Sequence, residues 1–130
     1  MKLNDKQKAE WEEVLRELNY IGADEVIEEH VQGDLWTLAG QTRGNFFFTR
    51  DKFVFRGGIL GADDFSIKYS DIKELKLINI RFIMPTGILV AAQNPENGKL
   101  KKYKCSVLKR KEWLAYLQSR TGLQSSLYNT

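Results

Sequence analysis

Cysteine and histidine are almost missing from this chain: one of each, Cys105 and His30, in 130 residues. A single cysteine excludes an internal disulfide, and one of each leaves too few ligands for a Cys/His structural zinc site. Proline occurs twice, at Pro85 and Pro95, and both positions read as turns. No apolar run approaches the roughly eighteen residues of a membrane-spanning helix. The opening Met1-Lys2-Leu3-Asn4-Asp5 has no apolar region of the signal-peptide kind, so the cytoplasm is the expected compartment. No GxSxG, Walker, HExxH or GxGxxG pattern occurs, nor any internal repeat or low-complexity segment. These absences leave no cofactor, metal or catalytic constellation to assign.

What is present is ordinary in amount: 42% apolar and 28% charged residues, the balance of a globular domain. A chain of this length buries about two-thirds of its unfolded surface, enough for a core without covalent staples. The net charge of +3 hides an asymmetry. Residues 1–42 hold four basic and ten acidic side chains, a net of −6, and residues 43–130 hold sixteen and seven, a net of +9. Two solvated faces that attract each other explain this, as does a basic surface for an anionic partner.

The spacing of Trp11, Val14, Leu15 and Leu18 predicts an amphipathic helix over 5–21, capped by Asn4 or Asp5, with Glu12 and Arg16 paired on its outer face and Gly22 at its end. Residues 26–38 fit neither period cleanly; a bent first strand with a bulge at Gly33 is preferred to a short helix over 23–30. Gly40 to Gly44 reads as a loop. Phe46 and Phe48 share one strand face and Phe53 and Phe55 another, which predicts a hairpin turning at Thr49-Arg50-Asp51-Lys52 with aromatic pairs opposed. Phe65, Ile67 and Tyr69 face inward on a further strand. A long strand over 73–83 follows, then a turn at Met84-Pro85-Thr86-Gly87. Ile88 to Ala92 is apolar on both faces, which implies cover on both sides. Asn97-Gly98 marks a hairpin turn. The next strand points Tyr103, Cys105 and Val107 one way and Lys102, Lys104 and Ser106 the other. A helix over 109–121 carries Trp113, Leu114 and Leu117 and stops at Gly122. Residues 1–22 are thus an N-terminal helix, 23–122 the main unit and 123–130 a loose tail.

Seven strands in short-linked succession and then a helix resemble the pleckstrin-homology (PH) superfold: a mostly β, α+β, seven-stranded antiparallel bent sheet or barrel capped by a C-terminal helix, here with an extra N-terminal helix. The residues resemble its GRAM-like and bacterial PH-like branch. They are the glycine-led strand Gly44 to Thr49, the basic turn and strand Arg50 to Phe55, the step Ile67-Lys68-Tyr69-Ser70-Asp71-Ile72, and Trp113 in the closing helix. The resemblance implies a non-catalytic binding module. Phosphoinositide binding does not carry over. The first strand region holds Glu28, Glu29 and Asp34, the loop after the third strand exits through Asp63 and Asp64, and Arg43, Arg56 and Lys99 are the only basic residues near that open end.

The surplus is apolar. Ile78, Ile80, Phe82 and part of Ile88 to Ala92 need cover, either from the N-terminal stripe or from a second subunit, unless a bulge near Leu77-Ile78 removes the need. Left exposed, such a patch marks a protein-interaction or self-association site. A second expectation is an anionic membrane surface, met by Ile59 and Leu60 as an apolar wedge with Lys99, Lys102 and Lys104 in support. The basic run from Lys99 to Lys111 has no aromatic residue on its outward face and so no base-stacking platform, which speaks against nucleic acid. His30 has Glu29 and Asp34 near it in sequence but no partner nucleophile. Cys105 reads as a buried structural residue.

Overall fold

The computed structural model describes residues 2–124. Chain order is α1 (Asp5–Glu17), β1 (Glu29–Thr37), β2 (Gly40–Phe48), β3 (Lys52–Gly57), β4 (Phe65–Lys68), a 3-10 turn (Tyr69–Asp71), β5 (Ile72–Ile80), β6 (Met84–Gln93), β7 (Leu100–Ser106) and α2 (Arg110–Thr121). The strands make one antiparallel sheet in the order β4-β3-β2-β1-β7-β6-β5. The sheet rolls up, because Phe65 on edge strand β4 meets Tyr103 on β7, their ring centroids 4.5 Å apart.

The rolled interior is built from alternate residues. Phe46 lies opposite Phe55 and Phe48 opposite Phe53, and all four are buried with Leu75, Leu77, Ile88, Val90 and Cys105. α2 closes this core. Trp113 stacks on Phe48, 5.0 Å between centroids and 7° between planes, and Leu114 and Leu117 are buried beside it. Gly122 ends α2 in the left-handed region (φ 74°), and Leu123 packs against the core. Residues 125–130 of the expected tail lie outside the described residues.

Four expectations change. First, β2 begins at Gly40, and the turn before it is only Leu38-Ala39; Thr42, expected in a loop, is paired with Leu35. Second, Gly33 sits in unbroken register opposite Gly44, with no bulge. Its lack of a side chain serves close approach instead. A Cβ there would come within 2.8 Å of Val107 and 2.9 Å of the Phe46 ring.

Third, α1 stops at Glu17, four residues early. Asn19 takes the left-handed conformation (φ 62°) expected of Gly22. The Asn19 and Tyr20 N–H groups donate to the Arg16 and Leu15 carbonyls, a Schellman stop. The buried face also differs. Leu15 is buried and Trp11 partly so, while Val14 and Leu18 are exposed and Glu12 turns inward. Glu12 is needed there because its carboxylate accepts the otherwise orphaned Ile27 N–H at 2.8 Å. Arg16 donates to the Glu25 carbonyl rather than pairing with Glu12. α1 therefore covers Phe47 and Val54 on the outside of β2 and β3, together with Ile21 and Ile27, and not the 78–92 strands.

Fourth, β5 ends at Ile80, so Phe82 belongs to a turn. Pro85 is inside β6 where the register shifts between Ile78 and Ile80, a position that tolerates a missing N–H. The apolar surplus is largely absorbed. Ile88, Val90 and Ala92 point into the core. On the other face Leu89 is buried and lies opposite Lys76 and Lys104 on its two flanking strands. Ile78 and Ile80 close over Gly87, where a Cβ would meet them at 2.7 and 2.9 Å.

Candidate functional site

Two hairpin tips meet on the outer face of the sheet. The β1–β2 turn presents Leu38, fully exposed. The β5–β6 turn presents Phe82 and Ile83, 93% and 80% exposed. Between them lies a groove of about 270 Å³ lined by Trp36, Thr37, Leu38, Gly40, Asn79, Ile80, Arg81, Phe82 and Lys104. Ladder and turn geometry bring these residues together. Lys104 stands directly opposite Trp36 in the β1–β7 ladder. Arg81 lays its guanidinium over the Trp36 ring, 5.2 Å from the centroid. The Trp36 Nε1 is closed to solvent and has no acceptor among the described residues.

The β5–β6 turn is strained. Arg81 and Phe82 both have positive φ, 51° and 71°, and the Ile83 N–H donates to the Ile80 carbonyl at 3.3 Å. Glycine and asparagine normally fill such turns. A non-glycine residue held there costs about 1–3 kcal/mol. Arg110 braces the strands below it by donating to the Ile78 carbonyl at 2.6 Å. That contact takes Arg110 out of the free basic run between Lys99 and Lys111.

The residues that the sequence singles out divide into separate places. Phe82 stands free at the groove, and Lys104 is exposed at its wall. Ile80 is buried and Ile78 half-buried, so neither stands free as an exposed contact, although Ile80 lines the groove. Ile59 and Leu60 form the fully projecting tip of the β3–β4 loop, 94% and 90% exposed. Lys99 and Lys102 are exposed along the β6–β7 loop and β7. Sequence patterning does not single out Trp36, Leu38, Arg81 or Ile83. The one signal for them is a large apolar residue placed within a hairpin tip, at Leu38 and again at Phe82-Ile83.

The acids of the β3–β4 loop are structural. Asp64 takes hydrogen bonds from Arg56 at 2.9 Å, the Gly57 N–H at 2.9 Å and the Tyr20 hydroxyl at 2.8 Å. Asp63 accepts from Thr42 at 2.7 Å. Arg43 faces Asp34 at 3.5 Å. Both arginines at that end are therefore already engaged by aspartates.

His30 is half-buried against Phe47, its Nε2 2.7 Å from Asn45 Oδ1 and its Nδ1 without a partner among the described residues. Burial holds its pKa below the ordinary value, against the pull of the Asn45 hydrogen bond. Asp34, its neighbour in sequence, faces Arg43 instead. Cys105 is fully buried, and burial pushes its thiol far up. No group of three or more His, Cys, Asp or Glu side chains able to hold a metal ion occurs among the described residues. No helix among them is long and apolar enough to cross a membrane.

No family model and no curated protein matches the chain. Similar solved structures include the C-terminal domain of an unknown protein from Leishmania infantum, with a TM-score of 0.68 and 18% identity over 88% of this chain and 97% of that one. They also include the DH/PH domains of p115-RhoGEF, with a TM-score of 0.57 and 9% identity over 87% of this chain and 34% of that one. The fold is PH-like. At these identities the likeness is one of fold alone.

Proposed function

We propose that the protein is a non-catalytic docking module for a protein partner, engaged through the face where the β1–β2 and β5–β6 tips meet. The observation that carries this reading is the exposure of Leu38, Phe82 and Ile83 beside one groove, since large apolar side chains clustered in the open mark an interaction surface. On this reading the protein catalyses no reaction, carries no cofactor, binds no nucleic acid and works in the cytoplasm. Its segments are a helical cover (residues 1–22), a PH-like unit (23–122) and a tail (123–130). The branch it fits is the GRAM-like and bacterial PH-like one, on the strength of Gly44 to Thr49, Ile67 to Ile72 and Trp113.

A benzophenone amino acid substituted at position 82 in living cells tests the reading. Protein adducts, with a second copy of this chain or with another protein, are the expected result. Lipid adducts alone, or none, overturn it. Light scattering over rising concentration then separates the two protein cases; a strict monomer removes self-association.

A second reading has its own observation. Ile59 and Leu60 project without cover, and Lys99, Lys102 and Lys104 are exposed on β7 and the loop before it. That arrangement suits a peripheral contact with an anionic bilayer, with no phosphoinositide pocket. Co-sedimentation with phosphatidylserine vesicles at low and high salt checks it, and no binding at low salt removes it.

A further inference from the structure

We infer that the groove between the two hairpin tips receives an extended peptide segment that carries carboxylates beside large apolar side chains; this rests on the docking reading above. Two cations flank one indole, Lys104 across the ladder from Trp36 and Arg81 over its ring. No aspartate or glutamate lines the groove. Arg43, Lys52, Arg56 and Arg120 are each held in an ion pair, whereas Arg81 and Lys104 take part in none among the described residues. A guanidinium left without an anion presents a fork that matches a carboxylate. Leu38 and Phe82 supply apolar walls.

The occupant that meets all of these is acidic and apolar in close alternation. A volume of about 270 Å³ takes one or two side chains, not a folded domain. A bilayer fits less well. It would rest on the exposed tips of Leu38 and Phe82 and leave the recess between them unfilled.

Fluorescence anisotropy with three probes tests the inference. The first is a labelled, capped peptide alternating glutamate with leucine, the second its glutamine-for-glutamate twin, and the third phosphatidylserine–phosphatidylcholine vesicles, added as competitor and also co-sedimented with the protein alone. The acidic peptide is expected to bind at least ten-fold more tightly than the twin. Lys104→Gln and the double change Arg81→Asn with Phe82→Gly are each expected to weaken it at least ten-fold while thermal melting shows intact folding. If both peptides bind equally and the double change abolishes binding, the docking face stands and the acidic preference is overturned. If neither peptide binds, or binding survives the double change, the groove is not the site. If only vesicles bind, and the double change stops them, the face belongs to a membrane and the docking reading falls with the inference.

Discussion

His30 and Glu25 show how single side chains set the conditions under which the fold holds. Burial pulls the His30 pKa below its ordinary 6.5, with the Asn45 hydrogen bond opposing. The folded chain therefore binds that proton less readily than the unfolded chain does. Stability is complete above about pH 6.5 and declines as pH falls toward the folded-state pKa. Glu25 acts lower. Burial alone would raise its carboxyl, but hydrogen bonds from Lys52, the Gly22 N–H and Thr49 outweigh that and hold it below the ordinary 4.5. Its contribution is present above 4.5 and is lost as pH falls through the folded-state value. The urea midpoint should thus fall in two steps. His30→Gln should remove the upper step and leave the lower; a wild-type midpoint flat between about pH 7 and pH 5 contradicts this assignment. A packing prediction belongs at the same scale. Gly33→Ala forces a methyl group against the Ser106 carbonyl oxygen first, and then Val107 and Phe46, and should cost about 1–3 kcal/mol in urea unfolding, as overpacking does.

The β5–β6 hairpin is the element whose local chemistry disagrees with its shape. Asparagine and glycine suit two successive positive-φ positions, yet the chain places Arg81 and Phe82 there. Replacing both, Arg81→Asn with Phe82→Gly, should relieve about 1–3 kcal/mol of strain at each position. It forfeits the Arg81–Trp36 contact, worth about 0.5–1 kcal/mol when exposed, and almost no burial, because Phe82 is 93% exposed. The net expectation is a gain of about 1 kcal/mol or more and a higher melting temperature, with binding lost. A lower melting temperature would show that the turn is not strained. This hairpin also marks where sequence patterning stops being informative. Alternation in the aromatic hairpin is strictly local, so it alone assigns Phe46, Phe48, Phe53 and Phe55 to the core. The β5–β6 register shift and a positive-φ Arg-Phe pair have no local signature, and Pro85 points to a turn three residues too late. The groove is less legible still. Trp36 and Lys104 are brought together by β1–β7 pairing between strands some seventy residues apart in the chain, and Arg81 reaches Trp36 from the β5–β6 turn.

As a whole the molecule has two apolar centres that share β2 and β3. One lies inside the roll, and the other lies outside under α1, where Phe47 and Val54 meet Leu15, Ile21 and Ile27. Charge follows the same division. Among the described residues, the ion pairs Glu25–Lys52, Glu28–Arg120 and Asp34–Arg43 join the acidic first 42 residues to the basic remainder. Glu28–Arg120 is exposed and contributes about 0–1 kcal/mol, whereas Glu25–Lys52 is partly buried; the larger share of the cover is apolar, from Leu15, Ile21, Ile27, Phe47 and Val54. Phe47 and Val54 are wholly buried, and uncovering an apolar side chain forfeits about 1.5–3 kcal/mol. The helix must also be ordered to provide that cover, which offsets part of the gain. A chain beginning at Ala23 should therefore keep the far-ultraviolet signature of the sheet, lose more than about 2 kcal/mol in urea unfolding, and self-associate through the bared Phe47 face. Adding Leu15→Ala to the full chain should produce a milder loss of the same kind without removing the helix. If the truncated chain matches the full one in stability and remains monomeric, α1 is not the cover that holds this side of the sheet, and Phe47 must be protected by something else.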